Sequence, residues 1–213
     1  MSKQYWTKTH ALYSQKDWIR KPTIFAEYAI QHFPKEGKIL DLGAGQGQDS
    51  RYFAKKGYDV ISTDYEKFAL GLNESNIPDE LKEKITVKEV DLLEKLPFYN
   101  QEFDVVYSHL SLHYFDLKTT KKIFQEIQRV LKIDGVLALI VNSTSDPEID
   151  QGKLIEKDYY DYGNISRRYF NTENIKEFVQ GFETIVLDDQ GETFKDSAIG
   201  VFNLIRFIGK RVE

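Results

Sequence analysis

Cysteine is absent from the 213 residues. That excludes disulfide staples, thiolate catalysis and cysteine-held zinc or iron–sulfur centres. Long apolar runs are missing too, with nothing near the ~18–20 uninterrupted residues that a membrane helix needs. The opening stretch, MSKQYWTKTH, lacks the apolar core of a secretory signal. Together with the missing cysteine, this sets the expectation of a cytoplasmic protein with no membrane partner. Positive charge is not in excess: 29 Lys and Arg stand against 34 Asp and Glu, for a net charge of −5. A dedicated nucleic-acid binder shows a basic footprint, so a nucleic-acid partner is disfavoured. The basic pairs Arg20-Lys21, Lys121-Lys122, Arg167-Arg168 and Lys210-Arg211 read as solvated faces. The four histidines, His10, His32, His109 and His113, show no metal-ligand spacing, and no metal is expected. No internal repeat and no low-complexity tract is present.

What is present is an alternation of short β-rich runs with helical patterns, the signature of a parallel sheet covered on both faces. Strands are expected over 38–42, 58–63, 85–90, 103–108 and 136–141, and helices over 48–56 and from about 66. The clearest helix lies within 117–131, where Ile123, Phe124, Ile127, Val130 and Leu131 form one stripe of a 3.6-residue period. Asp134-Gly135 then turns the chain into the fifth strand. Residues 142–170 break the rhythm and read as an irregular, tyrosine-rich insertion of the kind that forms lids. A helix over 172–180, capped by Thr172, is expected next. Strands over 182–187 and 201–208, joined by a loop carrying Gly191, suggest an antiparallel pair at one end of the sheet. The length fits a single domain, 1–213, with a helical cap over 1–35.

The strongest local signal is Leu40-Asp41-Leu42-Gly43-Ala44-Gly45-Gln46-Gly47, between an expected strand and an expected helix. Glycines permit a tight turn and let a ligand approach the backbone. The following helix offers free N–H groups to an anion. The dinucleotide fingerprint G-x-G-x-x-G needs glycine at position 48, which is Gln48, and no P-loop pattern exists. Asp64 closes the second strand and is placed to accept hydrogen bonds from ribose hydroxyls. Asp91, in Val90-Asp91-Leu92, closes the third. Three acids with no neighbouring lysine or arginine suit a neutral ribose and a cation better than a pyrophosphate.

These residues resemble the class I S-adenosylmethionine-dependent methyltransferases. The matching segments are the 40–47 loop, Asp64, Asp91-Leu92, Phe103-Asp104-Val105-Val106-Tyr107-Ser108 with 109–113 after it, and Leu131-Lys132-Ile133-Asp134-Gly135. The resemblance runs from about residue 38 to 142 and has the look of the small-molecule branch, tellurite-resistance-type enzymes included. It implies an α/β, Rossmann-like, doubly wound sheet of seven strands, mostly parallel with the last antiparallel. It implies S-adenosylmethionine as cofactor and a small-molecule acceptor. By the same resemblance, Asp41 with Gly43, Ala44, Gly45 and Gly47 flanks the methionine part of the cofactor. Many relatives carry cysteine where Ala44 stands, a change that leaves the backbone contacts intact. Asp64 and Tyr65 take the ribose region, Asp91 and Leu92 the adenine, and Ser108 and His109 the mouth of the fourth strand.

His113, just past that strand, is the candidate general base, its side chain titrating near neutrality. A histidine packed under the cofactor is the plainer alternative. Tyr5, Trp6, Tyr13 and Trp18 either pack an N-terminal helix on the sheet or cover the cofactor, where an aromatic face favours a sulfonium. Tyr159, Tyr160, Tyr162, Arg167 and Arg168 are candidates for the acceptor pocket, either arginine being suited to a carboxylate. A catalytically silent cofactor-binding regulator or scaffold would keep the same cofactor residues. A nicotinamide-dependent oxidoreductase would need the missing glycine and leaves Asp91 without a role.

Overall fold

The computed structural model describes residues 3–193 and 203–212. Five helices and ten strands follow in order: α1 (Lys3–Tyr13), α2 (Ile24–Ala29), β1 (Lys38–Leu42), α3 (Gln48–Lys55), β2 (Asp59–Asp64), α4 (Lys67–Ser75), β3 (Ile85–Glu89), β4 (Phe103–His109), α5 (Leu117–Val130), β5 (Leu131–Val141), β6 (Lys153–Glu156), β7 (Tyr159–Asp161), β8 (Ser166–Arg168), β9 (Phe182–Gly191) and β10 (Leu204–Arg211). Seven strands form one sheet in the order β3-β2-β1-β4-β5-β10-β9. The pairs among β3, β2, β1, β4 and β5 are parallel. β10 runs antiparallel to both neighbours, β5 and β9. This is the doubly wound, Rossmann-like sheet of seven strands with an antiparallel last strand. The order reverses between β1 and β4, which opens a crevice at their carboxyl ends where sheet ligands bind.

Alternation along the central strands feeds two cores. Leu40, Leu42, Val106, Leu137 and Leu139 face α5 through Ile123, Phe124 and Ile127. Ile39, Val105, Tyr107, Ala138 and Ile140 face the other way, toward Phe25 of α2 and Phe53 of α3. Successive residues point to opposite faces, and both faces are covered, so these strands read as continuous apolar runs. α5 begins where the Asp116 side chain accepts from Thr119 N at 2.7 Å. It ends at Val130 because Leu131 is already extended. The Asp134-Gly135 turn appears inside β5 rather than before it. Asp134 has φ 64°, and the ladder to β4 shifts register there.

Three expectations at the C-terminal side differ from the structure. The helix over 172–180 is only a short 3₁₀ turn, Asn174–Glu177. The Asn171 side chain, not Thr172, caps this turn, accepting from Glu173 N and Asn174 N. The 142–170 stretch is not irregular: β6, β7 and β8 form a small antiparallel sheet. β7 and β8 are three residues each, too short to display a period. The loop glycine, Gly191, is the last residue of β9, and β10 runs three residues past position 208. Val201 and Phe202, placed at the start of that strand, lie outside the described residues. Among those described, no helix is long and apolar enough to cross a membrane.

Candidate functional site

A cavity of about 430 Å³ opens over the carboxyl ends of β1 to β4. Its floor is the glycine loop. Gly43, Gly45 and Gly47 all hold left-handed backbone, with φ 70°, 54° and 73°. A Cβ at Gly43 would collide with Ser111, and one at Gly47 with Asn73. One at Gly45 would lie 2.9 Å from Cε1 of His10 on α1. Backbone conformation and close packing both require glycine here. Gly43, Ala44 and Gly45 line the cavity. Gly47 does not, and serves as the N-cap of α3 beneath Asn73.

Asp41 ends β1 almost fully buried, with Ser50 Oγ 2.6 Å from its Oδ2. Burial, then the charge of Asp49, pushes its carboxyl group up to about 8. Asp64 accepts from Gly45 N at 3.0 Å and from Glu66 N at 2.9 Å. Burial raises this carboxyl as well, against the pull of those N–H groups and of His10. Asp91 lies exposed at the rim, accepting from Leu93 N at 2.9 Å, with Leu92 beside it. Burial and the charges of Asp64 and Glu66 raise the Tyr65 phenol above its usual range.

Sequence reasoning missed Asp49. It accepts from Thr23 N at 2.7 Å, Thr23 Oγ1 at 2.8 Å and Tyr107 OH at 2.8 Å, all buried. Arg51 donates to Gln46 O at 2.6 Å and to Ile19 O at 3.3 Å. These bonds tie the N-terminal segment to the glycine loop. That segment roofs the cavity with Tyr5, Trp6, Tyr13 and Trp18. Trp6 meets Tyr114 edge-on at 5.0 Å, and Tyr13 meets Trp18 at 5.1 Å. Phe25, further along, stacks instead on Tyr107 in the core at 5.6 Å.

Residues 40–139 match the family described as "Methyltransferase domain". An uncharacterized methyltransferase of Synechocystis sp. is 35% identical over 103 residues, covering 48% of this chain and 46% of the relative. Sarcosine/dimethylglycine N-methyltransferase of Aphanothece halophytica is 38% identical over 111 residues, covering 50% of this chain and 38% of the relative. The chain thus spans less than half the length of either. The solved Burkholderia thailandensis 1,6-didemethyltoxoflavin-N1-methyltransferase, with 1,6-didemethyltoxoflavin and S-adenosylhomocysteine bound, superposes with a TM-score of 0.76 at 14% identity. It covers 99% of this chain and 85% of its own, a likeness of fold alone. Residues 40–139, which hold the glycine loop and the ends of β1 to β4, are thus similar to the methyltransferase-domain family.

The chemistry of the cavity limits what it can hold. Among the described residues that line it, six are acidic and one, Arg167, is basic, a balance that favours a cationic group and a neutral ribose over a pyrophosphate. The side-chain oxygens of Gln46 and Gln48 are buried at the loop with no hydrogen-bond partner among the described residues. They are acceptors placed for an ammonium or hydroxyl group.

At the mouth of β4, His109 and His113 stand in the cavity wall and Ser108 does not. Ser108 is fully buried, its hydroxyl 2.6 Å from Ser111 Oγ, which itself donates to Leu42 O at 2.7 Å. Ser111 therefore takes the place expected of Ser108. Leu110, with φ 55°, turns the chain between them. His113 is buried, its ring 4.2 Å from that of Tyr114. Of the acceptor candidates, only Arg167 lines the cavity. Neighbours on a strand face opposite ways, and Arg168 points into the hairpin. There it donates to Phe115 O and Lys157 O, pairs with Glu156 and covers Tyr159. Tyr160 packs edge-on against Tyr169 at 5.7 Å, and the Tyr162 hydroxyl lies 2.6 Å from that of Tyr169. Tyr159, Tyr160 and Tyr162 are thus structural parts of the hairpin. Among the described residues no group of three or more His, Asp or Glu could hold a metal ion.

Proposed function

We propose that this chain transfers a methyl group from S-adenosylmethionine to a nucleophilic atom of a small-molecule acceptor. The observation that carries the proposal is the convergence of a left-handed glycine loop, Asp41, Asp64 and Asp91 on one cavity under an aromatic roof. The relatives support a small acceptor, one being a sarcosine/dimethylglycine N-methyltransferase and another binding 1,6-didemethyltoxoflavin. Residues 1–213 act as one domain, with 1–35 as its cap and 142–170 as its lid.

The bound donor supplies an electrophilic methyl group with its leaving group attached. The chain's task is to bind, align and keep water out. Asp64, held in place by Gly45 N and Glu66 N, accepts the ribose hydroxyls, with Tyr65 alongside. Asp91 and Leu92 border the adenine. Asp41 and the backbone of Gly43, Ala44 and Gly45 face the methionine part, with Gly47 and Ser108 supporting from behind. His109 lies beside the reacting centre, and His113 takes the acceptor's proton where one must leave. The donor, held by Asp64, Asp91 and the glycine loop, would offer its methyl carbon to the acceptor's lone pair and would keep the carbon–sulfur pair on sulfur. Trp6 and Tyr114 present ring faces and edges that exclude water there.

Titration calorimetry with S-adenosylmethionine, S-adenosylhomocysteine and NAD tests this. Wild type binds the first two and not NAD. Asp64→Asn, which keeps the shape but not the charge, weakens binding about 10-fold or more, the worth of a charged hydrogen bond. No donor binding by folded wild type, or NAD in its place, overturns the proposal. Donor binding with no transfer to any acceptor would instead identify a silent binder.

A further inference from the structure

Arg167 is the only lysine or arginine among the described residues that line the cavity, against six acidic side chains. It stands on the far side of β1 from Asp64 and Asp91. Those acids close β2 and follow β3, whereas β8 hangs from the other half of the sheet. Arg168 N donates to His113 O at 2.7 Å, past the end of β4. Phe170 N donates to Asn142 O at 2.9 Å, just past the end of β5. The guanidinium is recessed, its side chain 21% exposed. Nη1 donates to Glu148 Oε2 at 2.6 Å, and that carboxylate is the outer partner, 49% exposed. Nε is buried with no hydrogen-bond partner among the described residues. The ring of Tyr162 lies 5.2 Å beneath.

An isolated surface ion pair would have both ends in water. Here a largely desolvated cation faces a cavity with its Nε unused, and Glu148, its ion partner among the described residues, is the more exposed of the two. A guanidinium offers a planar fork that matches a carboxylate. Asp146 and Glu148 nearby line the same wall, so a dianion such as a phosphate monoester meets about twice the repulsion that a single carboxylate does, and a cationic group on the same molecule offsets the latter.

Building on the methyltransferase reading, we propose that Arg167 anchors the acceptor, and that the acceptor is a small monocarboxylic acid whose carboxylate displaces Glu148 from the guanidinium. The nucleophilic atom then lies between that anchor and the donor, against Trp6, Tyr114 and His113. Arg168 takes no part.

The test has two arms. The first is calorimetry with S-adenosylhomocysteine and 5′-methylthioadenosine, which lacks the amino-acid portion, on wild type, Arg167→Met and Arg167→Lys. Both ligands bind all three proteins alike if Arg167 serves the acceptor. The second arm measures methyl transfer, and binding to the S-adenosylhomocysteine complex, for a panel of amino acids and aromatic acids, each beside its primary amide. Wild type prefers acids to amides. Arg167→Met lowers kcat/KM for the preferred acid about 10–100-fold, the range of a charge-assisted hydrogen bond, and leaves its amide unchanged. Arg167→Lys falls between, and Glu148→Gln tightens acid binding. Weaker S-adenosylhomocysteine binding in Arg167→Met, with 5′-methylthioadenosine unchanged, assigns Arg167 to the donor's carboxylate and overturns the proposal. So does equal use of acids and amides, or a panel in which no acid binds or reacts with donor-competent wild type. Failure of wild type to bind S-adenosylhomocysteine sinks the methyltransferase reading itself, and this proposal with it.

Discussion

Asp41 sits buried at the end of β1, where burial and Asp49 hold its carboxyl group up to about 8, against 3.8 for a free one. Between those values the folded chain keeps a proton that the unfolded chain has released. Stability from this group is complete below the lower value and is lost as pH rises through the upper one. Asp41→Asn keeps an oxygen for Ser50 without the charge. Its stability relative to wild type is expected to grow from about pH 5 to about pH 9, reaching a few kcal/mol. Melting curves of the two proteins across that range check this, and a constant difference would contradict a raised carboxyl. That Asp41, Asp64 and Asp91 would line one cavity was legible because an acid at or just past a strand end is a local pattern. Arg167 and Arg168 were not separable, since which of two neighbours faces a cavity depends on the phase of a three-residue strand. Ser108 and Ser111 were confused for a related reason: Leu110 at φ 55° reverses the direction of the chain between them.

At the scale of elements, the long periodic ones were legible and the short ones were not. α5 shows its stripe over fourteen residues, enough to outweigh chance. β7 and β8 have three residues each, and the 172–180 segment keeps only the turn Asn174–Glu177. The joint between the N-terminal segment and α3 was invisible as well. Thr23 meets Asp49 across 26 positions, and Tyr107 meets Asp49 across 58. Thr23 also caps α2, accepting from Ala26 N at 3.1 Å. Thr23→Ala removes that cap and one buried partner of Asp49. The expected cost is about 2–3 kcal/mol, a cap near 1 and a hydrogen bond to a charged group above it. Urea denaturation should show a lower midpoint with an unchanged slope, and Thr23→Ser should restore most of it. Donor affinity should fall in Thr23→Ala too, because α1 and its aromatic roof join the loop through this segment. Unaltered donor affinity would separate the roof from the site.

Across the whole molecule, the sheet order places five parallel strands with their carboxyl ends toward one crevice, and both cores reach it from opposite faces. This much followed from strand–helix alternation, since a right-handed crossover leaves few arrangements for such a sequence of elements. The glycine loop of β1, the ends of β2 and β3, and the roof from α1 are distant in sequence, so a ligand that touches all of them binds only the assembled fold. Such a ligand shifts the folding equilibrium by mass action. At 100 times its Kd the gain is about 2.7 kcal/mol, which in a chain of this size raises Tm by roughly 5–10 °C. S-adenosylhomocysteine should produce that rise in wild type, and adenosine at equal concentration much less, because it leaves the methionine end of the cavity unfilled. Equal shifts with both would confine binding to the Asp64 and Asp91 side and remove the glycine loop from the site.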